Sequence, residues 1–242
     1  MAKEKVCLLT GAAGVIGQRV ILNLNAQKMK VLALGEPDDI FEPSVLKTNH
    51  IRINTSLPIS SKSFQKHDVQ FCFGDLSDIS FLASIFSQAS ANDIEIEYVI
   101  HLSANQEIQK TSPKAYHPLF GDTVNLLEVA RAYWQSNKDA FKCFFFASDS
   151  NNSVNDKILK LMQQVSDKEN FPIEVYNPDE VKTIGGNYKG KTELSSLYRI
   201  VSPVATLKKV FSTNKAYTSE NDEKKYINAL LSAITQMLKK HI

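Results

Sequence analysis

Residues 5–17, KVCLLTGAAGVIG, decide the fold. A strand-like apolar run, Val6 to Leu9, passes through Thr10 into glycines at 11, 14 and 17, and a helical pattern follows at once. Gly11 permits a tight turn, Gly14 lets the backbone approach a pyrophosphate, and Gly17 lets the helix pack close to the strand. The freed N–H groups and the helix dipole then face an anion. Such a triplet is also compatible with a merely structural turn. Its place between a strand and a helix is what points to dinucleotide binding, through Gly11, Ala13, Gly14, Val15, Ile16 and Gly17.

Outward from this loop, short apolar runs alternate with amphipathic ones. Strands are expected at Val6 to Leu9, Lys30 to Leu34, Val69 to Phe73, Glu97 to Leu102, Phe141 to Ala147 and Pro172 to Tyr176. Helices are expected at Gly14 to Ala26, Asp78 to Ser87, Ala115 to Gln135 and Ser153 to Glu169. In Asp78 to Ser87, the residues Ile79, Leu82 and Phe86 line one face and Ser77 is the expected N-cap. The alternation implies an α/β fold, a Rossmann-like doubly wound parallel sheet with helices on both faces and a small C-terminal appendage. Residues 36–68 lack periodicity and read as a long loop with one short helix. Turn signals in 182–218 surround one late strand, Leu194 to Val201, and a helix over Glu220 to Lys240 closes the chain. Its stripe of Ile227, Leu230, Leu231, Ile234, Met237 and Leu238 is expected to pack on the sheet. The domains are therefore drawn as 1–181, binding a dinucleotide, and 182–242, a reduced segment whose final helix packs on the same domain.

Composition narrows the partners. A net charge of +2 over 242 residues gives no field that would attract nucleic acid or an anionic membrane. The N-terminal apolar run is too short for a membrane span and lacks the layout of a signal peptide, so a cytoplasmic location is expected. Cys7, Cys72 and Cys143 each lie inside a strand-like run and read as core thiols, with no metal site.

Beyond the glycine loop, Gly74-Asp75-Leu76 resembles an adenine-contacting motif, Val99-Ile100-His101-Leu102-Ser103-Ala104 a segment lying along a cofactor, and TVNLLEVAR (Thr123 to Arg131) the helix after it. Together with TGAAGVIG these resemble the extended short-chain dehydrogenase/reductase superfamily, in its NAD-dependent epimerase/dehydratase family. The resemblance covers residues 5–147. It implies a dinucleotide cofactor contacted also by Asp75, Leu76, Leu102, Ser103, Ala104 and Lys157, and a nucleotide sugar as substrate. Taken alone, Asp75 could simply begin a turn, and His101 could be a satisfied hydrogen-bonding residue. The acidic residue that ends the second strand in this family corresponds to Gly35, so Glu36 is the nearest acceptor for the ribose hydroxyls. An acidic cluster there favours NAD over NADP, while Arg19 keeps NADP open.

The family's acid/base is a Tyr with a Lys four residues on, the ammonium making the phenol a usable base. No Tyr in this chain has a Lys at that spacing. The nearest match is Ser153-Val154-Asn155-Asp156-Lys157, which keeps Lys157 but has Ser153 in place of the phenol. The preceding FFFASDS puts Asp149 at the family's catalytic hydroxyl, with Ser148 and Ser150 beside it. Asp149, Ser150, Ser153 and Lys157 are thus the catalytic candidates, and a solvated helix lysine is the plain alternative for Lys157. Three readings follow: a dinucleotide-binding protein with impaired or lost oxidoreductase chemistry; an active nucleotide-sugar epimerase, dehydratase or reductase with a non-standard acid/base, drawing on these residues or Tyr188; or a non-catalytic interaction protein. By the same resemblance a homodimer is expected, through the helices at Ala115 to Gln135 and Ser153 to Glu169.

Overall fold

The opening apolar run becomes β1 (Glu4–Thr10), buried from Val6 onward, and the sheet grows from it in both directions. The computed structural model describes residues 3–36, 44–55, 59–102, 116–136, 141–147, 153–176 and 220–241. To one side of β1 lie β2 (Lys30–Gly35), β4 (Val69–Phe73) and β3 (Ile53–Asn54). To the other lie β5 (Ile94–His101), β6 (Cys143–Ala147) and β7 (Ile173–Tyr176). The seven strands run in the order β3-β4-β2-β1-β5-β6-β7, with β1 parallel to both β2 and β5. The helices are α1 (Val15–Ala26), α2 (Ser44–Thr48), α3 (Ser61–Lys66), α4 (Ile79–Ala91), α5 (Tyr116–Ser136), α6 (Ser153–Glu169) and α7 (Glu220–His241). Successive connections through α1 and α4 step along the sheet in opposite directions. Because parallel crossovers are right-handed, these two helices lie on opposite faces, which is the expected doubly wound arrangement.

By compactness the chain divides into Met1–Phe144 and Phe145–Ile242. The expected boundary at 181/182 lies outside the described residues, as does the late strand at 194–201.

Within the first unit, the strands at the centre of the sheet are apolar because both faces are covered: Cys7, Leu8, Leu9, Val31 to Leu34 and Val99 to Ile100 are fully buried. β5 starts at Ile94, earlier than the expected Glu97. Glu97 breaks the apolar run, yet it is accommodated at 8% exposure by Lys5, whose Nζ lies 2.6 Å from its carboxylate. Two details of α4 also differ from expectation. Its N-cap is Asp78, whose side chain accepts from the Ser80 N–H at 2.8 Å, and not Ser77. Ile79, at 51% exposure, does not join Leu82 and Phe86 on the buried face. As the first residue of the helix, it precedes the turn that lies against the sheet.

The expected loop at 36–68 contains α2, α3 and the two-residue strand β3 among its described residues. Polar contacts organise it, which is why it has no apolar period. Asp68 accepts from Arg52 and Lys30, and Gln70 accepts from Asn54 and Ser63.

In the second unit, α6 buries Ile158, Met162 and Val165. The stripe on α7 is buried at Ile227, Leu230, Ile234, Met237 and Leu238, with Leu231 half-buried. The last turn of α7 is basic and meets β7: Lys240 Nζ is 2.6 Å from Glu174 and His241 Nε2 3.3 Å from the same oxygen.

Candidate functional site

Strand order reverses at β1 and β5, and in open α/β sheets ligands bind beyond the carboxyl ends of the strands at such a point. The glycine loop lies there. Gly11 has φ 65°, a left-handed conformation that disfavours other residues. A Cβ on Gly17 would stand 2.2 Å from the Gly11 oxygen and 2.6 Å from the Ala12 Cα, so this glycine brings α1 against the end of β1. Gly14 is different. It is exposed, has φ −69° and ψ 167°, which any residue adopts, and a Cβ there would meet nothing nearer than 3.7 Å. The protein's own packing does not require glycine at 14. What remains is the open space on its outer side, where an atom of Cβ would narrow the approach to the backbone.

The N-terminus of α1 behind this loop has no side-chain cap and no acidic residue in its first turn. Its first N–H groups and the positive end of the dipole are thus left for an anion.

Thr10 and His101, register partners at the ends of β1 and β5, tie the loop to its neighbours. Thr10 Oγ1 is 2.7 Å from His101 Nδ1, and His101 Nε2 is 2.9 Å from Thr123 Oγ1 on α5. The Leu102 N–H also donates to Thr10 Oγ1 at 3.2 Å. Burial holds the imidazole neutral, with a pKa lowered to about 3. His101 is therefore a structural link with both ring nitrogens occupied, the plainer of its two expected roles. Thr123 was not distinguishable in sequence from any other helical threonine.

At the end of β4, the Gly74 N–H donates to the Gly35 carbonyl at 3.0 Å, joining the ends of β2 and β4. A Cβ on Gly74 would collide with the Phe81 ring at 2.4 Å. Asp75 is exposed and its Oδ1 accepts from the Ser77 N–H at 2.7 Å, so it does begin a turn. The Ser77 side chain first and its N–H second hold the carboxyl below the usual range. Leu76 is buried, and Glu36, just past β2, is half-buried. Asn125 on α5 donates to the Ser77 carbonyl at 2.8 Å. One turn earlier on α5, Asp122 has a buried Oδ1 without a hydrogen-bond partner among the described residues. Burial first and the Asp75 charge second push its pKa up to about 6.

Ser103, Ala104, Asp149 and Ser150 lie outside the described residues. Ser153 begins α6, and Lys157 is exposed on it, in the second unit. Cys7, Cys72 and Cys143 are buried and outside any disulfide, and burial pushes Cys72 up to about 12.

Comparison with known proteins bears on this edge directly. The family model described as GDP-mannose 4,6 dehydratase matches residues 8–152, more than half of the chain, from the second half of β1 through β6. The chain belongs to that family. It thereby stands among the NAD-dependent epimerases and dehydratases of the short-chain dehydrogenase/reductase superfamily. UDP-glucuronate 4-epimerase 1 of Arabidopsis thaliana is 30% identical over 128 residues, 52% of this chain and 26% of that protein. UDP-glucuronate 4-epimerase 4 of the same plant is 26% identical over 128 residues, again 52% of this chain and 26% of that protein. The chain's match thus spans about a quarter of the length of these curated relatives. Among solved structures, YwfH, an NADPH-dependent reductase involved in bacilysin biosynthesis, superposes with a TM-score of 0.56 at 13% identity, covering 96% of this chain and 94% of that one. Such a likeness shows the fold.

The family match encloses the glycine loop and the ends of β4, β5 and β6, and stops one residue before Ser153. The Ser153 to Lys157 segment falls beyond it. Among the described residues, no helix is long and apolar enough to cross a membrane.

Proposed function

We propose that this chain binds a dinucleotide, NAD in preference to NADP, across the carboxyl ends of β1, β2, β4 and β5, and that ordinary oxidoreductase chemistry is impaired or lost. The observation that carries the binding is Gly14: a glycine that neither backbone angle nor internal packing demands, exposed at an uncapped helix N-terminus inside the stretch that matches the family. Pyrophosphate would lie on the loop with Gly11, Ala13, Gly14, Val15, Ile16 and Gly17. Adenine would lie toward Asp75 and Leu76, and the strand ends at Leu102, Ser103 and Ala104 would flank the cofactor. Glu36 supports NAD, because a carboxylate accepts from ribose hydroxyls and repels a 2′-phosphate. Arg19, exposed on α1, is the group that would favour NADP.

The loss of chemistry rests on the absence of a Tyr with Lys four residues on. An alkanol at Ser153 is too weak an acid to replace a phenol, and a positioned acid/base contributes roughly 10² to 10⁴ in rate. If the site still acts, Asp149, Ser150, Ser153 and Lys157 would carry the reaction on a nucleotide sugar, the substrate class named for the Arabidopsis relatives. Cytosolic location and assembly as a homodimer through α5 and α6 complete the reading.

Calorimetric titration with NAD, NADH, NADP and NADPH tests the binding, and mass spectra of the denatured protein would reveal a cofactor carried through purification. Failure of all four to bind below millimolar concentration would leave an interaction protein on this fold. Turnover of any UDP- or GDP-sugar that is abolished in Lys157→Ala would establish an active enzyme instead.

A further inference from the structure

Gln18, which no part of the glycine pattern includes, holds that loop from beneath. It is 6% exposed, and its Nε2 donates to the Ala13 carbonyl at 3.0 Å. Its own N–H donates to the Gly14 carbonyl, also at 3.0 Å. One residue therefore engages the carbonyls of the two peptides that flank Gly14.

A peptide unit is planar and trans, so its C=O and N–H point in opposite directions. With the Ala13 oxygen turned to a buried amide, the Gly14 N–H is turned away from the core, toward the side on which Gly14 is exposed. With the Gly14 oxygen directed along the helix to Gln18, the Val15 N–H points back out of the N-terminus. Rotation of the Ala13–Gly14 peptide by half a turn would present a carbonyl, with its partial negative charge, to the same space. An anion there would meet repulsion where it now meets a donor.

We infer that Gln18 is a positioning residue for an anionic ligand: it fixes the Gly14 and Val15 N–H groups outward, so that they receive the pyrophosphate of a dinucleotide. This rests on the binding reading above. The effect is separable from general stability because it acts only on the phosphate-bearing part of the ligand. Hydrogen bonds to a charged acceptor are about twice as strong as neutral ones, so misdirecting one of them weakens binding by about tenfold or more.

The test compares the unchanged chain with Gln18→Met, which keeps length and apolar contacts but has no donor, and with Gln18→Glu, which places an acceptor against the Ala13 carbonyl. NAD, ADP and adenosine are titrated into each. NAD and ADP should weaken at least tenfold in both variants, while adenosine, lacking pyrophosphate, keeps its affinity within twofold. Unaltered NAD affinity would overturn the positioning role, and so would a parallel loss for NAD and adenosine, which marks a general structural defect. Should the variants fail to fold, amide resonances of the unchanged protein decide: Gly14 and Val15 must shift strongly with ADP, and their staying fixed while ADP binds overturns the inference. If the unchanged protein binds neither NAD nor ADP, the binding reading itself falls, and this role with it.

Discussion

Three glycines at one spacing carry three different physical demands. Gly11 answers to a positive φ, Gly17 to contact with the Gly11 and Ala12 backbone, and Gly14 to nothing inside the protein. Gly17→Ala should therefore destabilise by about 1 to 3 kcal/mol, since backbone and not a flexible side-chain tip must give way. Gly14→Ala removes a tolerated N-cap glycine but also lowers the freedom of the unfolded chain. These effects oppose each other, and the net change in urea unfolding should stay within about 1 kcal/mol. NAD affinity should nevertheless fall in both variants, and a Gly14→Ala protein that binds as before would remove the reason for placing a ligand there. Asp122 is a second single-residue case. Its pKa, raised to about 6 by burial and by Asp75, lies above its unfolded value, so its contribution is full below about pH 4 and is lost as pH rises through 6. Asp122→Asn should raise the melting temperature at pH 7 and make little difference at pH 4; equal effects at both pH values would contradict this. The glycine pattern was legible in sequence, but which glycine serves packing and which serves space was not. That division depends on φ and on distances to atoms six residues away.

At the scale of elements, α4 shows how a correct helix can be given the wrong cap. SDIS offers two consecutive capping residues, and Ser77 and Asp78 are equally plausible from composition. In the structure, the Asp78 carboxylate takes the Ser80 N–H, while Ser77 serves Asp75 with its side chain and its N–H and accepts from Asn125 at its carbonyl. Asp78→Ala should accordingly cost about 1 kcal/mol, and Ser77→Ala less, because its two backbone bonds survive and only the side-chain bond to the exposed Asp75 is lost. Urea curves for the two variants read this directly, and a larger loss at Ser77 would return the cap to it. Elements formed by apolar periodicity, such as β4, α6 and the stripe of α7, were legible almost to the residue. Those formed by polar pairing were not. β3 and α3 depend on Asn54, Ser63 and Gln70 meeting one another, and β5 extends back through Glu95 and Glu97 with Lys5 facing the latter. Partners many positions apart leave no local signal.

For the whole molecule, the loop, the strand ends and the switch in strand order all converge on one edge of the sheet, and all belong to Met1–Phe144. A parallel sheet was legible because strands covered on both faces must be apolar throughout. The site was legible only where it coincides with that rule or with the glycine spacing; Thr123 and Asp122 act through tertiary contact, and Gln18 through a side-chain bond to a carbonyl five residues back that no pattern announces. The absence of the Tyr and Lys pair was legible too, being a fact of sequence. A ligand that binds only the native state stabilises it by about 2.7 kcal/mol at one hundred times its Kd. For a chain of this size each kcal/mol moves the midpoint by about 2 to 4 °C. NAD at that excess should hence raise the melting temperature by about 5 to 10 °C, with NADP giving less if Glu36 meets the ribose. If the missing Tyr and Lys pair does abolish turnover, adding UDP- or GDP-sugars to the NAD complex should yield no epimerised, dehydrated or reduced sugar by NMR, a readout that holds even where the hydride is returned within each turnover. A thermal shift together with a converted sugar would mean that another side chain has taken the phenol's place, and substitution of Asp149, Ser150, Ser153 and Tyr188 in turn would show which.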